Sequence, residues 1–322
     1  MLRPERTLVG PRTASLDDVP AMNRVFSEAF TDRYRRDGLV GVRVPRLNAD
    51  IWHYAISDSG DGAMLWCDER DEVVAFNIAH CSGSEGWMGP LAVRTDRQGM
   101  GVGRVVVETA IEWLHGRAVR TLGLETMPRT VENIGFYAQL GFLPKYLTIT
   151  MTGEASRRRV AGEFCRLGRL ASSDRAAMLQ RCRDRLDRSA PGCDFGREID
   201  LTEELGIGDT IVLQGDQEIA GFALWHSAPL AEARAADELR VLKLFADSGE
   251  SFVRLLVALE ACAAALRVRR VAIRCQTGYS TAYRLLTARG YRVRWTDLRM
   301  TLEQFPEAVL PAGEVLFSNW EI

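Results

Sequence analysis

The sequence predicts an α+β chain made of two similar halves, each a mixed sheet flanked by helices. Three observations predict this. The chain has 322 residues, too many for one ordinary domain and about right for two. Short segments recur in the same order along both halves, at an offset of 149 residues where Met151-Thr152 returns as Met300-Thr301. Within each half, short apolar and β-branched runs alternate with segments of helical period.

The repeat is built from several weak matches in one order. Leu140-Gly141-Phe142 returns as Arg289-Gly290-Tyr291, and Leu122-Gly123-Leu124 as Val271-Ala272-Ile273. Further upstream the offset drifts, as loops of different length require. There Glu72 to Phe76 answers Glu218 to Phe222, and Asp18 to Met22 answers Asp174 to Met178. The polar stretch 153–159 lies between two apolar runs and is the expected linker. The expected domains are therefore 1–153 and 154–322.

In the first half, Ser15 and Asp18 have capping-box spacing, so a helix is expected from there toward Phe30. A variable polar segment follows, to about Gly62. Strands are expected at 63–67, 73–81 and 87–93 from their apolar, β-branched content. A loop and a helix at about 103–115 come next, then a strand at 120–126, a helix at 131–140 and a last strand at 145–152. The second half repeats this order. The tail, 314–322, lies beyond both repeats and is expected to be a strand joining the sheet of the first half.

The stretch that carries chemistry runs from Pro90-Leu91-Ala92-Val93 through Arg94-Thr95-Asp96-Arg97 to Gln98-Gly99-Met100-Gly101-Val102-Gly103-Arg104. An apolar strand ends, a glycine-rich loop follows, and an amphipathic helix begins. Glycines let successive backbone N–H groups face an anion, and a helix N-terminus adds unpaired donors and partial positive charge. With Arg97 and Arg104 flanking it, the loop suits a pyrophosphate. Its glycine spacing meets neither the GxGxxG dinucleotide pattern nor the P-loop pattern.

Gln98-x-x-Gly101-x-Gly103 after a strand resembles the acetyl-CoA loop of the GNAT superfamily of N-acyltransferases. The resemblance implies that residues 97–104 grip the CoA pyrophosphate, and that Leu91, Ala92 and Val93 pair with the pantetheine arm and polarise the thioester carbonyl. Downstream, Tyr137-Ala138-Gln139-Leu140-Gly141-Phe142 resembles the family's Tyr-x-x-x-Gly-Phe segment, which implies that the Tyr137 hydroxyl is the general acid toward the leaving sulfur. Where many members carry Asn, seven residues before that tyrosine, this chain has Thr130, with Asn133 as a substitute contact. Glu125, twelve residues before Tyr137, has a spacing similar to that of a bacterial ribosomal-protein alanine acetyltransferase and is the expected base. Glu85 and His80 are further base candidates, and His53 is a specificity candidate.

The second half has lost all of this. At the 149-residue offset Gln98 becomes Asp247, Gly101 becomes Glu250 and Gly103 becomes Phe252, while Glu125 becomes Arg274 and Tyr137 becomes Leu286. Carboxylates repel a pyrophosphate, and Phe252 blocks close backbone approach. A structural role is expected for this half. In layout the tandem resembles mycothiol synthase and antibiotic-pathway acetyltransferases, although mycothiol synthase uses its second domain for catalysis.

The expected function is therefore an acetyl-CoA-dependent N-acetyltransferase of a primary amine, a small molecule before a protein N-terminus. The alternative is a non-catalytic acyl-CoA-binding protein that holds acetyl-CoA as a structural cofactor. A net charge of -2 argues against a nucleic-acid partner. No transmembrane span, no secretory leader and no metal-binding cysteine pattern is expected among the seven cysteines. The expected setting is cytoplasmic, as a monomer or homodimer.

Overall fold

The computed structural model describes residues 8–157, 163–215 and 217–319. The first half runs β1 (Val9–Thr13), α1 (Val19–Arg36), α2 (Ala49–Ser59), β2 (Ala63–Cys67), β3 (Val73–Ser82), β4 (Glu85–Val93), α3 (Val102–His115), β5 (Thr121–Thr126), α4 (Val131–Ala138) and β6 (Phe142–Glu154). The second runs β7 (Phe164–Arg166), α5 (Ser172–Ser189), α6 (Gly196–Glu204), β8 (Gly208–Gln214), β9 (Ile219–His226), β10 (Glu238–Ala246), α7 (Gly249–Ala265), β11 (Arg270–Gln276), α8 (Ser280–Ala288), β12 (Arg292–Leu302) and β13 (Val315–Ser318). The α+β expectation and the repeated order both hold.

Local sequence explains the first elements. At the start of α1 the Ser15 backbone N–H and hydroxyl both donate to the Asp18 carboxylate, at 2.8 and 2.9 Å. The polar segment expected before Gly62 contains α2. Asn48 caps it by accepting from the Asp50 N–H, and Ile51, Trp52, Ala55 and Ile56 form its buried face. Trp52 packs edge-on between Phe26 of α1 and Phe76 of β3.

The sheet does not divide at the linker. Among the described residues twelve strands form one path, β1-β2-β3-β4-β5-β12-β6-β11-β10-β9-β8-β7, and β13 pairs with β10 off that path. In each half the strand that directly follows the fourth helix, β6 or β12, is exchanged. β12 of the second half lies between β5 and β6 of the first. β6 of the first half lies between β12 and β11 of the second. Side chains cross with them: Met300 and Leu302 enter the core around Leu122, Leu124 and Phe142, and Met151 enters the core around Val271, Ile273 and Phe317.

Two expectations are corrected here. Gly153 and Glu154, placed in the linker, extend β6 and pair with Val271 and Arg270; their polar character belongs to a strand end, and residues 158 and 159 lie outside the described residues. The tail strand forms, but it joins the second half, where Val315 to Ser318 pair antiparallel with Ala246 to Lys243. β13 meets there the edge of β10 that has parted from β11.

The exchange makes the halves dependent on one another. We expect the chain to unfold in a single urea transition, with far-UV circular dichroism and tryptophan fluorescence coincident. A fragment of residues 1–157 leaves β5 and β6 without the strand between them and should not fold as a monomer. Two separated transitions, or a folded monomeric fragment, would overturn this dependence.

Candidate active site

The site starts from a divergence of strands. β4 pairs in parallel with β5 only from Glu85 to Met88. On its other side its register with β3 shifts between Asn77 and Ala79, so Gly89 and Pro90 bulge against the single residue Ile78. Beyond the bulge the edge of β4 that faced β5 has no strand partner, and its backbone groups at Leu91, Ala92 and Val93 line a cleft.

Two adjoining cavities, of about 560 and about 360 Å³, share walls made by Phe30, Leu91, Met127, Asn133 and Tyr137. The larger is lined by Gln98, Gly99, Gly101, Gly103 and Arg104. Gly99 and Gly101 have φ of +73° and +85°, and a Cβ on either would point into open space. They hold the loop in a conformation other residues adopt only with strain, and leave its backbone uncovered. The Gln98 side-chain amide donates to the Val93 carbonyl at 3.0 Å and ties loop to strand. The loop opens directly onto the N-terminus of α3, whose Gly101 cap offers no side-chain acceptor to the first N–H groups. Such a cradle suits a diphosphate.

Not every expected contact is in the cavity wall. Arg97 is turned inward, 3.7 Å from both Asp68 and Asp96. Val102 packs with Met64, Trp66 and Val106, and Met100 faces solvent. Thr130 is fully buried and donates to Asp37 at 2.5 Å, so it fastens α1 to the start of α4. Arg33 and Arg36 line the cleft instead, beside Arg104. They come from the last turn of α1, and the run Arg33, Arg35, Arg36 was the available sequence signal.

Tyr137 stands on α4 where the two cavities meet, beside Phe136 and Phe142. Desolvation pushes its phenol up to about 12, so it keeps its proton at neutral pH.

The smaller cavity draws on both halves. Loop residues around Leu47 and Leu230 roof it: Leu47 bridges Ala231, and the Asn48 N–H donates to the Leu230 carbonyl at 3.0 Å. At its floor lie Glu125, Arg274, Asp297 and Arg299. Glu125 Oε1 accepts from Arg299 at 2.8 Å and from Thr148, and Oε2 accepts from Arg274. Burial alone would raise this carboxyl, but Arg274 and Arg299, with the Thr148 hydroxyl, hold it at about 2. Asp297 is different: burial raises it to about 6 against the pull of Arg274, and the Glu125 charge adds to the rise. Arg299 also stacks over Trp87, 3.7 Å from the ring centre.

His80 lines the same cavity, but burial, with Lys243 nearby, holds its imidazole well below the usual range and therefore neutral. Glu85 is buried, lies outside both cavity walls and accepts from Ser318 at 2.5 Å. His53 is half-buried on α2 and outside both cavity walls.

The second half shows the same divergence with a different outcome. β10 pairs with β11 from Glu238 to Val241, and from Lys243 to Ala246 it pairs with β13. The edge that is free on β4 is filled here by the chain's own tail. The following loop is closed as well: Ser248 accepts from the Ser251 N–H at 3.2 Å, Asp247 accepts from the Ser248 hydroxyl at 2.9 Å, and Phe252 is fully buried.

Residues 23–142 match the model of the acetyltransferase (GNAT) family. Solved structures match along almost the whole chain. An acetyltransferase-like protein of Pyrococcus horikoshii is 18% identical, with a TM-score of 0.69, covering 98% of this chain and 94% of its own. A GCN5-related N-acetyltransferase of Sphaerobacter thermophilus is 17% identical, with a TM-score of 0.61 and coverage of 95% and 98%. A tandem GNAT protein of the clavulanic acid biosynthesis pathway is 14% identical, with a TM-score of 0.57 and coverage of 94% and 100%. No curated protein matches the sequence. Residues 23–142 carry the match to the acetyltransferase (GNAT) family, and the likeness to solved structures shows a tandem GNAT fold over the length of the chain. The family uses an acyl-CoA and an amine acceptor. No helix among the described residues is long and apolar enough to cross a membrane.

Two variants test the site. Gly101→Glu places a carboxylate at the cradle and should weaken acetyl-CoA binding at least ~100-fold, measured by calorimetry, while strain at positive φ costs only about 1–2 kcal/mol of stability. Unchanged affinity would remove this loop from the cofactor site. Glu125→Gln leaves Arg274 and Arg299 short of charge and should cost about 3 kcal/mol at pH 7. Because the folded carboxyl is depressed, its stabilisation is full above the unfolded value near 4.5 and is lost as pH falls toward about 2. The wild-type advantage should shrink across that window, and a constant advantage in urea melts would contradict the pairing.

Proposed function

We propose that the chain is an acetyl-CoA-dependent N-acetyltransferase of a small primary amine. Its first half holds the donor, and its second half completes the acceptor cavity. The observation that carries this reading is the contrast between the two divergent strands. The edge of β4 is open beside a glycine cradle, whereas the matching edge of β10 is occupied by β13.

The acceptor reading rests on shape. A cavity of about 360 Å³, roofed by the paired loops around Leu47 and Leu230, suits a small molecule better than a polypeptide end. Phe26, Phe30, Tyr34 and Trp295 supply an apolar wall.

Acetyl-CoA, when bound, supplies an activated acetyl thioester. The loop 98–103 and Arg104, with Arg33 and Arg36, would hold its phosphates. The free backbone edge at Leu91, Ala92 and Val93 would orient the pantetheine arm and donate to the acyl oxygen as charge develops there. Tyr137 keeps its proton at neutral pH and stands where the cavities join, which suits a general acid toward sulfur. The reverse order known from mycothiol synthase does not suit this chain, because its second cradle is acidic and capped.

Tyr137→Phe retains the ring and removes the proton. Turnover should fall ~10²–10⁴-fold with acetyl-CoA affinity nearly unchanged, followed by thiol release across an amine panel. Wild-type turnover in this variant would place the acid elsewhere. Tight acetyl-CoA binding with no amine acetylated would favour a structural cofactor over an enzyme.

A further inference from the structure

The family resemblance assigns the base to Glu125, and the geometry argues against that assignment. Both Glu125 oxygens are committed to fixed donors from three strands: Thr148 on β6, Arg274 on β11 and Arg299 on β12. A carboxylate so held takes up a proton only near pH 2, and cannot turn toward an incoming ammonium without stranding two buried guanidiniums.

We propose that Asp297, carried into the acceptor cavity by the exchanged strand β12, is the carboxylate that receives the acceptor's ammonium and takes its proton. This rests on the acetyltransferase reading above. Asp297 Oδ1 accepts from the Trp295 indole and Oδ2 from Arg274, each at 3.1 Å. A carboxylate offers about four acceptor sites, so each oxygen has room for a further donor. The side chain remains 15% exposed, in a cavity whose wall also includes Leu91 and Tyr137. Beside it Trp295 and Tyr34 lie with ring centres 6.0 Å apart, an apolar wall for the body of the amine.

Charge balance supports the same assignment. Around Asp297 stand Glu125 on β5, Arg274 on β11, Arg299 on its own strand, and the Tyr34 phenol on α1; Thr148 is its register partner on β6. Arg299 is shared with Glu307 at 2.8 Å. Glu85 also acts on Arg299, so the carboxylates here outnumber the two guanidiniums. Lys243 does not correct the excess, because it lies against Glu198 at 3.5 Å. The excess is negative, and an ammonium beside Asp297 would meet it directly. Desolvation, with Glu125 adding to it, sets proton release from Asp297 near pH 6.

The step balances without another reactant. The ammonium gives one proton to Asp297, and the freed nitrogen bonds to the acetyl carbon. The carbon–sulfur bond breaks, its electron pair leaves with sulfur, and Tyr137 protonates that sulfur. The nitrogen's second proton leaves to solvent, and the amide and the CoA thiol depart.

The test uses the full-length protein, acetyl-CoA and a panel of 2-phenylethylamine, putrescine and glucosamine. For wild type, kcat/KM should rise through an acid limb near pH 6. Asp297→Asn should lower kcat/KM ~10²–10⁴-fold and abolish that limb, with acetyl-CoA affinity and melting temperature retained; Asp297→Glu should recover part of the rate. Glu125→Gln should keep the limb and move it to lower pH, because it removes a neighbouring negative charge. An active Asp297→Asn with its acid limb intact overturns the proposal and leaves the acetyltransferase reading standing. So does a limb that vanishes in a folded Glu125→Gln protein. Acetyl-CoA binding with no amine acetylated by wild type brings down the acetyltransferase reading and this proposal together.

Discussion

Everything in this molecule depends on the exchange of β6 and β12. Each half ends one strand short of a closed arrangement, and each supplies the strand the other lacks. The backbone groups of β5, β6, β11 and β12 are satisfied only when both halves are present. The exchange also places the internal symmetry at the heart of the site. Thr148 and Asp297, equivalent positions in the repeat, are register partners across β6 and β12. Glu125 and Arg274, also equivalent, form an ion pair across the same centre. A substitution that looked like the loss of a carboxylate in the second half therefore supplies its counter-charge in the first.

The same architecture shows how two copies of one fold differ at an equivalent strand edge. A strand that parts from its neighbour exposes backbone donors and acceptors, and these need a partner. On β4 they face a cleft that ends in a glycine cradle. On β10 they are met by Val315 to Ser318, and the helix that follows is capped by its own Ser248. The second half has filled its own slot with chain. It also supplies walls: Leu230, Arg274, Trp295, Asp297, Arg299 and Ser318 all border the smaller cavity.

Much of this was legible in the sequence. β2 is bounded by the residues that its apolar run marks, and β3 to β6 and α3 to α4 fall within a few residues of their expected places, because period and glycine punctuation are local signals. The cradle residues Gln98, Gly99, Gly101 and Gly103 were visible for the same reason, and they do line the cleft. The exchange was not legible, because a strand's own residues do not say which half it pairs with. α2 escaped because its apolar positions, Ile51, Trp52 and Ala55, sit in a segment that matches no motif and is interrupted by His53, Ser57 and Asp58. Arg97 and Thr130 show the limit of motif spacing: each occupies the expected place in the chain, but its side chain turns to an internal carboxylate. Asp297 was invisible as a site residue, since it lies in the half with no cofactor loop.

The central claim is that the divergent edge of β4 takes the acyl-CoA while that of β10 is closed by β13. Calorimetric titration of the full-length chain with acetyl-CoA tests it most directly, paired with hydrogen exchange on the same sample. One molecule bound per chain is predicted, with new protection in residues 89–104 and none in residues 243–251. Two molecules per chain, or one whose protection falls on β10 and displaces β13, would contradict it.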